Sequence, residues 1–391
     1  MKAGGGKVLN IGIIGYGGRL SGLARGFDEF EIPYRIAAIA DPRCEEIRAK
    51  NDPRLAGTSF FADADELLAR GGLDGVMIGT RCNLHSKMAC KAAKLGVAMF
   101  LEKPVATNLE DLRELERTFR DFSAPVVVSF PLRVSPLAVK VRQIVESGKL
   151  GTVEHVAAFN DVPYGDVYFG GWYRNYGEVG GLFLQKATHD LDCIFYLVGQ
   201  KPRRVCAMKS RRIWKGDKPF DLKCRDCGEK DSCSESPFSP CSMIPEGERN
   251  SWKESRMCVF SRDIKNEDSS DCLIEFENGS HANYTQSVFI RHRAARRGAR
   301  LYGYKGTLEF DWYTNLIRIF PHDRPEVEEV HPEGEMAHFG GDRELCRDFL
   351  LAMKEGKPSR TPISAGIVSA LTCLMARESA ETGTFRQVSL S

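Results

Sequence analysis

Lys103 is the residue whose type and setting most clearly suit chemistry: it stands in Glu102-Lys103-Pro104, directly after the apolar run Val97 to Leu101. The carboxyl end of a buried parallel strand is where open α/β sheets bind ligands. An ammonium there can hydrogen-bond a substrate oxygen and hold the negative charge that develops on it. A surface lysine after a strand is the plainer alternative. A second group surrounds His189, with Gln185, Lys186 and Asp192 within about one helical turn on either side. Side chains at these spacings share a helix face, so the four can converge on one pocket. A hydrogen-bonded core histidine is the competing possibility.

A third cluster, Gly15-Tyr16-Gly17-Gly18-Arg19, lies between the β-branched run Val8–Gly15 and a helix-capable stretch, Leu20–Phe30. Glycines there allow a tight turn and let a pyrophosphate reach backbone N–H groups at a helix N-terminus. The third position of the usual fingerprint is Leu20 rather than Gly or Ala. Asp41 closes the next apolar run, Tyr34–Ala40, where a carboxylate can accept hydrogen bonds from ribose hydroxyls and repel a 2′-phosphate. That favours NAD over NADP. Arg43 offers a hold for a 2′-phosphate, so NADP stays open, and Asp41 as a helix N-cap before Pro42 is the structural alternative.

The elements that must position these residues change character along the chain. Up to Phe130, short runs that are apolar on both faces (Gly75–Ile78, Val97–Leu101, Pro125–Phe130) alternate with helical patterns (Ala64–Arg70, Leu84–Leu95, Leu109–Phe119). This predicts a doubly wound parallel sheet, the Rossmann arrangement, over residues 1–131. Residues 132–391 read as an α+β domain with a large, mostly antiparallel open sheet. Helices are expected at Leu137–Ser147, Leu182–Val198, Leu345–Lys354 and Ala365–Thr382. Glu277-Asn278-Gly279 marks a hairpin between Ser269–Glu277 and Ser280–Ile290.

Length and composition narrow the class. With 391 residues, 42% hydrophobic and 28% charged, the chain fits two globular domains. Its 55 basic and 53 acidic residues leave a net charge of +2, which argues against nucleic acid or an anionic membrane as partner. Arg291, Arg293, Arg296, Arg297 and Arg300 form the one dense basic run, expected in a solvated loop between strands. No apolar stretch suggests a membrane helix or a signal core, so the expected compartment is the cytoplasm.

A reducing compartment makes the thirteen cysteines thiols rather than a disulfide framework. Five of them, Cys224, Cys227, Cys233, Cys241 and Cys258, fall in or beside an insert at about 214–261. Cys224-x2-Cys227 has the bite of a zinc thiolate pair, and Cys233 and Cys241 would complete a closed structural site. Reduced thiols without metal are the leading expectation, disulfides or other thiol chemistry are the remaining alternative, and nothing points to a catalytic metal.

The stretch Ile78–Asn108, with Asn83, His85 and Glu102-Lys103-Pro104, resembles the Gfo/Idh/MocA oxidoreductases. The resemblance continues through Phe130-Pro131-Leu132-Arg133, Gly148–Gly151, Gly180–Gly199 and Ala376–Gly383, leaving out roughly Trp214–Ser261. It implies cofactor contacts from Gly15, Gly17, Gly18, Arg19, Asp41, Arg43, Thr80, Asn83, His85, Glu102 and Lys103. It makes His189 the general acid/base beside Lys103, with Asp192 orienting the helix or the imidazole. Many family dehydrogenases carry Asp where Gln185 stands, and an amide cannot take a proton. Arg133, Trp172, Arg174, Gln185, Lys186 and Asp192 are the expected substrate contacts, although Trp172 and Arg174 also suit interface packing. Asp161, Tyr164, His338 and Asp342 are further pocket candidates. The implied activity is hydride transfer between NAD(P) and a hydroxyl carbon of a sugar, polyol or sugar derivative. A glycosidase using transient oxidation and a non-catalytic ligand sensor are the rivals. A homodimer or homotetramer is expected by analogy.

Overall fold

The computed structural model describes residues 7–333 and 337–390. From the amino end run β1 (Leu9–Ile14), α1 (Gly18–Gly26), β2 (Tyr34–Ala40), α2 (Cys44–Ala49), β3 (Ser59–Phe61) and α3 (Ala64–Arg70). Then come β4 (Gly75–Ile78), α4 (His85–Ala93), β5 (Ala98–Leu101), α5 (Leu109–Phe119) and β6 (Val126–Val128). These six strands form one parallel sheet in the order β3-β2-β1-β4-β5-β6. The order reverses between β1 and β4, and the carboxyl ends of the strands at such a reversal are where open α/β sheets bind ligands. β1, β4 and β5 read as unbroken apolar runs because helices cover both faces of the sheet.

The second half begins with α6 (Pro131–Val134), α7 (Pro136–Glu146), β7 (Val153–Asp161), α8 (Val167–Gly170) and α9 (Tyr176–Val179). A π turn, Phe183–Ala187, leads into α10 (Thr188–Val198), followed by β8 (Pro202–Ser210) and α11 (Glu246–Trp252). β9 (Ser269–Phe276), β10 (His281–Ser287), β11 (Arg296–Gly303), β12 (Gly306–Asp311), β13 (Leu316–Pro321) and β14 (Glu328–Val330) come next. α12 (Gly341–Glu355), α13 (Ile363–Thr382) and β15 (Arg386–Gln387) close the chain. The nine-stranded sheet runs β14-β13-β12-β11-β7-β10-β9-β8-β15, antiparallel throughout except where β10 lies parallel to β7.

One face of that sheet carries α10 and α13, and its strands alternate accordingly. In β9, Ser270, Cys272, Ile274 and Phe276 are buried while Asp271 and Leu273 face out. The hairpin predicted at Asn278-Gly279 joins β9 to β10, with Gly279 at φ +86. The sequence pattern does not reveal where α12 goes: it leaves the second sheet and packs on the first. Phe349 meets Phe100 edge-on at 5.8 Å, and Leu345 and Leu350 join the core around β1.

The basic run departs from expectation. Only Arg291 and Arg293 precede the strand; Arg296, Arg297 and Arg300 lie on β11 itself. Arg297 faces inward, where its Nε donates to Asp190 at 2.7 Å, because a buried guanidinium needs an anion. The insert also has structure, since Trp214, Val259 and Ile264 build a small core with Val162, Phe169 and Leu182.

Candidate active site

The glycine turn is shaped by contact. Gly15 has φ +84, and a Cβ there would sit 2.7 Å from the Gly79 carbonyl oxygen, so β1 and β4 approach as only glycine permits. At Gly17 and Gly18 an added Cβ meets nothing within 4 Å, and α1 starts without a side-chain cap. Open space beside uncapped N–H groups fits a pyrophosphate. Asp41 is buried and braces this turn: Oδ2 accepts from the Tyr16 N–H at 3.0 Å and Oδ1 from the Arg43 N–H at 2.9 Å. It does not cap α2, whose N-cap is Arg43. Asn83 presents a buried Oδ1 with no partner among the described residues, as a residue awaiting a ligand amide or hydroxyl would. Together these features fit a dinucleotide lying over the switch point.

Other expected cofactor contacts are spent within the protein. Arg19 donates to Glu102 at 2.8 Å, to both Asp342 oxygens at 2.7 and 2.8 Å, and to Ser129 at 3.0 Å. It therefore ties the glycine turn to β5 and α12, and it takes up Glu102 in doing so. His85 is buried with Nδ1 2.8 Å from the Pro104 carbonyl and Nε2 3.2 Å from that of Thr80. Burial lowers its pKa while the two carbonyls raise it, and the ring sits as a brace between the ends of β4 and β5, donating from Nδ1 to the nearer Pro104 carbonyl when neutral. The Thr80 hydroxyl turns to the Arg81 carbonyl.

At the end of β5, Lys103 Nζ donates to the Gln185 backbone oxygen at 2.7 Å and to its Oε1 at 3.3 Å. Gln185 is in the π turn, and His189 follows one turn later at the start of α10, its ring edge-on to Phe130. The left-handed glycines Gly180 and Gly181 admit this approach, and buried Glu267 accepts the Phe183 N–H at 2.8 Å, which anchors the turn. Burial pulls the Lys103 amine down to about 8, with Lys186 and Arg19 adding repulsion. Lys186 is itself buried, and its ammonium donates to the Tyr164 hydroxyl.

Three expected substrate contacts lie elsewhere. Arg133 and Asp192 hold each other in a bidentate pair at 3.0 and 2.6 Å, joining α6 to α10, so neither orients the imidazole. Arg174 is 3% exposed and stacks on Phe220 of the insert at 4.4 Å, turned away from the Lys103 group. Burial pulls its guanidinium down to about 10. Trp172 stays at the surface, stacked on Tyr173 at 3.9 Å with the Arg81 guanidinium over its other face at 3.9 Å. Arg81 also pairs with Glu178 at 3.4 Å, a contact between the two halves of the chain that only a spatial view exposes. Asp342 belongs to the Arg19 network, and the His338 side chain lies outside the described residues.

The four cysteines expected to close a zinc site are not all brought together: Cys224, Cys227 and Cys233 neighbour Cys258, and Cys241 stands apart. Among the described residues no three His, Cys, Asp or Glu side chains gather to hold a metal ion. Cys241 is exposed and engages Ser239 and Ser232, whereas Cys224 is buried beside Met257, where burial lifts its thiol to about 11. All thirteen cysteines are free.

No helix among the described residues is long and apolar enough to cross a membrane. Compared with known proteins, the chain is 26% identical over 364 residues to YteT of Bacillus subtilis (strain 168), covering 83% of this chain and 84% of that one. It is 29% identical over 170 residues to inositol 2-dehydrogenase of Rhizobium meliloti (strain 1021), covering 44% of this chain and 48% of that one. It thus spans about half the length of that enzyme. The structure of levoglucosan dehydrogenase in complex with NADH and levoglucosan superposes with a TM-score of 0.78 at 19% identity. That match covers 98% of this chain and 100% of the other, a likeness of fold. The model of the oxidoreductase family with an NAD-binding Rossmann fold matches residues 9–130, and that of the GFO/IDH/MocA C-terminal domain matches residues 138–309. The chain therefore belongs to the Gfo/Idh/MocA oxidoreductase family, and its first domain is an NAD-binding Rossmann domain.

Proposed function

We propose that this chain interconverts a hydroxyl carbon of a sugar, polyol or sugar derivative and the matching carbonyl, with NAD rather than NADP. The observation that carries this is the Lys103 ammonium held on Gln185 at the end of β5, one turn before His189. Bound NAD supplies the hydride acceptor. Lys103 has a third N–H beyond the two it gives Gln185, and this donor holds the reacting oxygen. His189 takes the hydroxyl proton. Gln185, neutral, sets the height of Lys103 rather than sharing the proton. Two relatives named as dehydrogenases of inositol and levoglucosan support a hydroxyl-rich substrate.

Gln185 also favours a second reading, elimination of a glycoside through transient oxidation, because the site holds no carboxylate at that position. Near-ultraviolet absorbance of purified protein with NAD or NADP and a panel of inositols, sugars and sugar acids separates the two. Growth of NADH with one compound is expected; a flat trace with release of an aryl leaving group from aryl glycosides would move the assignment to elimination.

The free thiols suit a reducing, cytoplasmic compartment. A second copy would cover the open face of the nine-stranded sheet, where Met208 is 75% exposed and Leu273 and Tyr302 lie on neighbouring surfaces. Light scattering should then find a dimer or tetramer, and a monomer would refute this assembly.

A further inference from the structure

The charges around Lys103 and His189 differ in one respect: nearly all are paired inside the protein. Arg297 meets Asp190 at 2.7 Å, Arg133 meets Asp192 at 2.6 Å, and Arg19 meets Glu102 and Asp342. Besides Arg174, whose guanidinium nitrogens find no hydrogen-bond partner among the described residues, the two lysines are the exception. Among the described residues neither Lys103 nor Lys186 forms an ion pair; Lys103 is satisfied by the neutral Gln185 and Lys186 by the Tyr164 phenol oxygen, whose pKa burial raises but Lys186 and Arg297 together hold below its usual value. Lys186 is only 4% exposed, and its Nζ lies 4.6 Å from the centre of the Tyr164 ring. Burying an ammonium without an anion is unfavourable, so half-buried Lys103 and buried Lys186 would each gain from an anion brought from outside. Burial lowers both amines, the charge of Lys186 lowers Lys103 further, and that of Arg297 lowers Lys186. Tyr164 stands at the border of the site, 40% exposed. Its oxygen accepts from Lys186, which leaves its own O–H to donate outward.

We propose that Lys186 and Tyr164, beside Lys103, form a subsite for a carboxylate, so that the substrate is an acidic sugar or polyol rather than a neutral one. One carboxylate oxygen would accept from the Lys186 ammonium and the other from the Tyr164 hydroxyl. The reacting hydroxyl would lie on Lys103. The location rests on the oxidation reading above, while the chemistry rests on the unpaired cations.

The test is calorimetric titration of the full chain, saturated with NADH, with D-glucuronate, D-galacturonate and D-gluconate against neutral D-glucose, D-galactose and D-glucitol. At least one acid should bind tenfold or more tightly than its neutral counterpart. Lys186→Met should erase most of that preference, and Tyr164→Phe should reduce it severalfold. Lys186→Met should also raise the Tm of the ligand-free protein, because it removes a buried cation that has no partner. A role of Lys186 in folding alone would instead lower Tm and leave acid binding in Tyr164→Phe unchanged. Absence of acid preference in every pair, absence of binding by all three acids, or a preference that survives Lys186→Met would overturn the proposal. Acid binding without NADH formation from NAD would sink the oxidation reading and leave the subsite standing. Oxidation of neutral compounds without acid preference would do the reverse.

Discussion

Two clusters of buried charge in this molecule are handled in opposite ways. Under the insert, Arg256, whose side chain is fully buried, is matched by Asp166 at 2.7 Å and Glu235 at 3.3 Å, and Arg291 adds to Glu235 at 2.9 Å. Near the end of β5, half-buried Lys103 and buried Lys186 of the π turn rest on amide and phenol oxygens, and neither forms an ion pair among the described residues. The first arrangement is closed: every charge already has its partner, so it specifies how the insert sits on α8. The second is open, and an open cluster of cations in a cleft is what a binding site looks like before its ligand arrives. Sequence alone cannot make this distinction, since both clusters read as basic residues among aromatic ones.

The contrast can be broken from either side, and the largest effect belongs to the closed cluster. Arg256→Ala leaves buried Asp166 without its cation and Glu235 with Arg291 alone, and should cost about 3–5 kcal/mol of stability, read as a fall in Tm or in the denaturant midpoint. A change below about 1 kcal/mol would show that solvent reaches those carboxylates. A smaller effect is expected at the glycine turn. Asp41→Ala should weaken NAD by roughly tenfold and NADP by much less, measured by titration of intrinsic fluorescence. Equal loss for both cofactors would mean that Asp41 acts only through its bond to the Tyr16 N–H.

The open cluster predicts a pH dependence with a definite sign. Burial depresses Lys103 to about 8, so its ammonium is complete below that value and disappears as pH rises through it. Activity that depends on the ammonium should show an alkaline limb near pH 8 in kcat/KM. A limb placed where an ordinary lysine titrates would mean that Lys103 is far better solvated than its contacts with Gln185 indicate. The smallest effect is expected at Cys241. It is exposed, so Cys241→Ser should change stability by less than about 0.5 kcal/mol and leave no zinc to be lost.

The parallel sheet was legible because its strands are short apolar runs between helical patterns, and β2 (Tyr34–Ala40) and β4 (Gly75–Ile78) carry the boundaries expected from sequence. Lys103 and the Gln185–His189 spacing were legible for a related reason: local period and strand-end position already place them. The expected site residues that the structure pairs inside the protein depend on partners far along the chain. Arg19 looks like part of a phosphate loop until Asp342, 323 residues away, takes two of its N–H groups. Arg133 and Asp192 look like pocket residues because each is polar and near a motif, yet 59 residues apart they satisfy each other. Arg174 follows Trp172 in sequence, but a short helical turn points it toward Phe220. No periodicity announces such pairings. Charges that pair across the fold carry the same residue types as charges that wait for a ligand.

The most direct test of the open cluster is Lys103→Ala, assayed by initial NADH formation with the best compound from the substrate panel while NAD affinity is measured in parallel. Turnover should fall by about a hundredfold or more with NAD binding nearly unchanged, since Lys103 holds the reacting oxygen and not the dinucleotide. A variant that keeps most of its turnover would contradict the assignment of the chemistry to the end of β5.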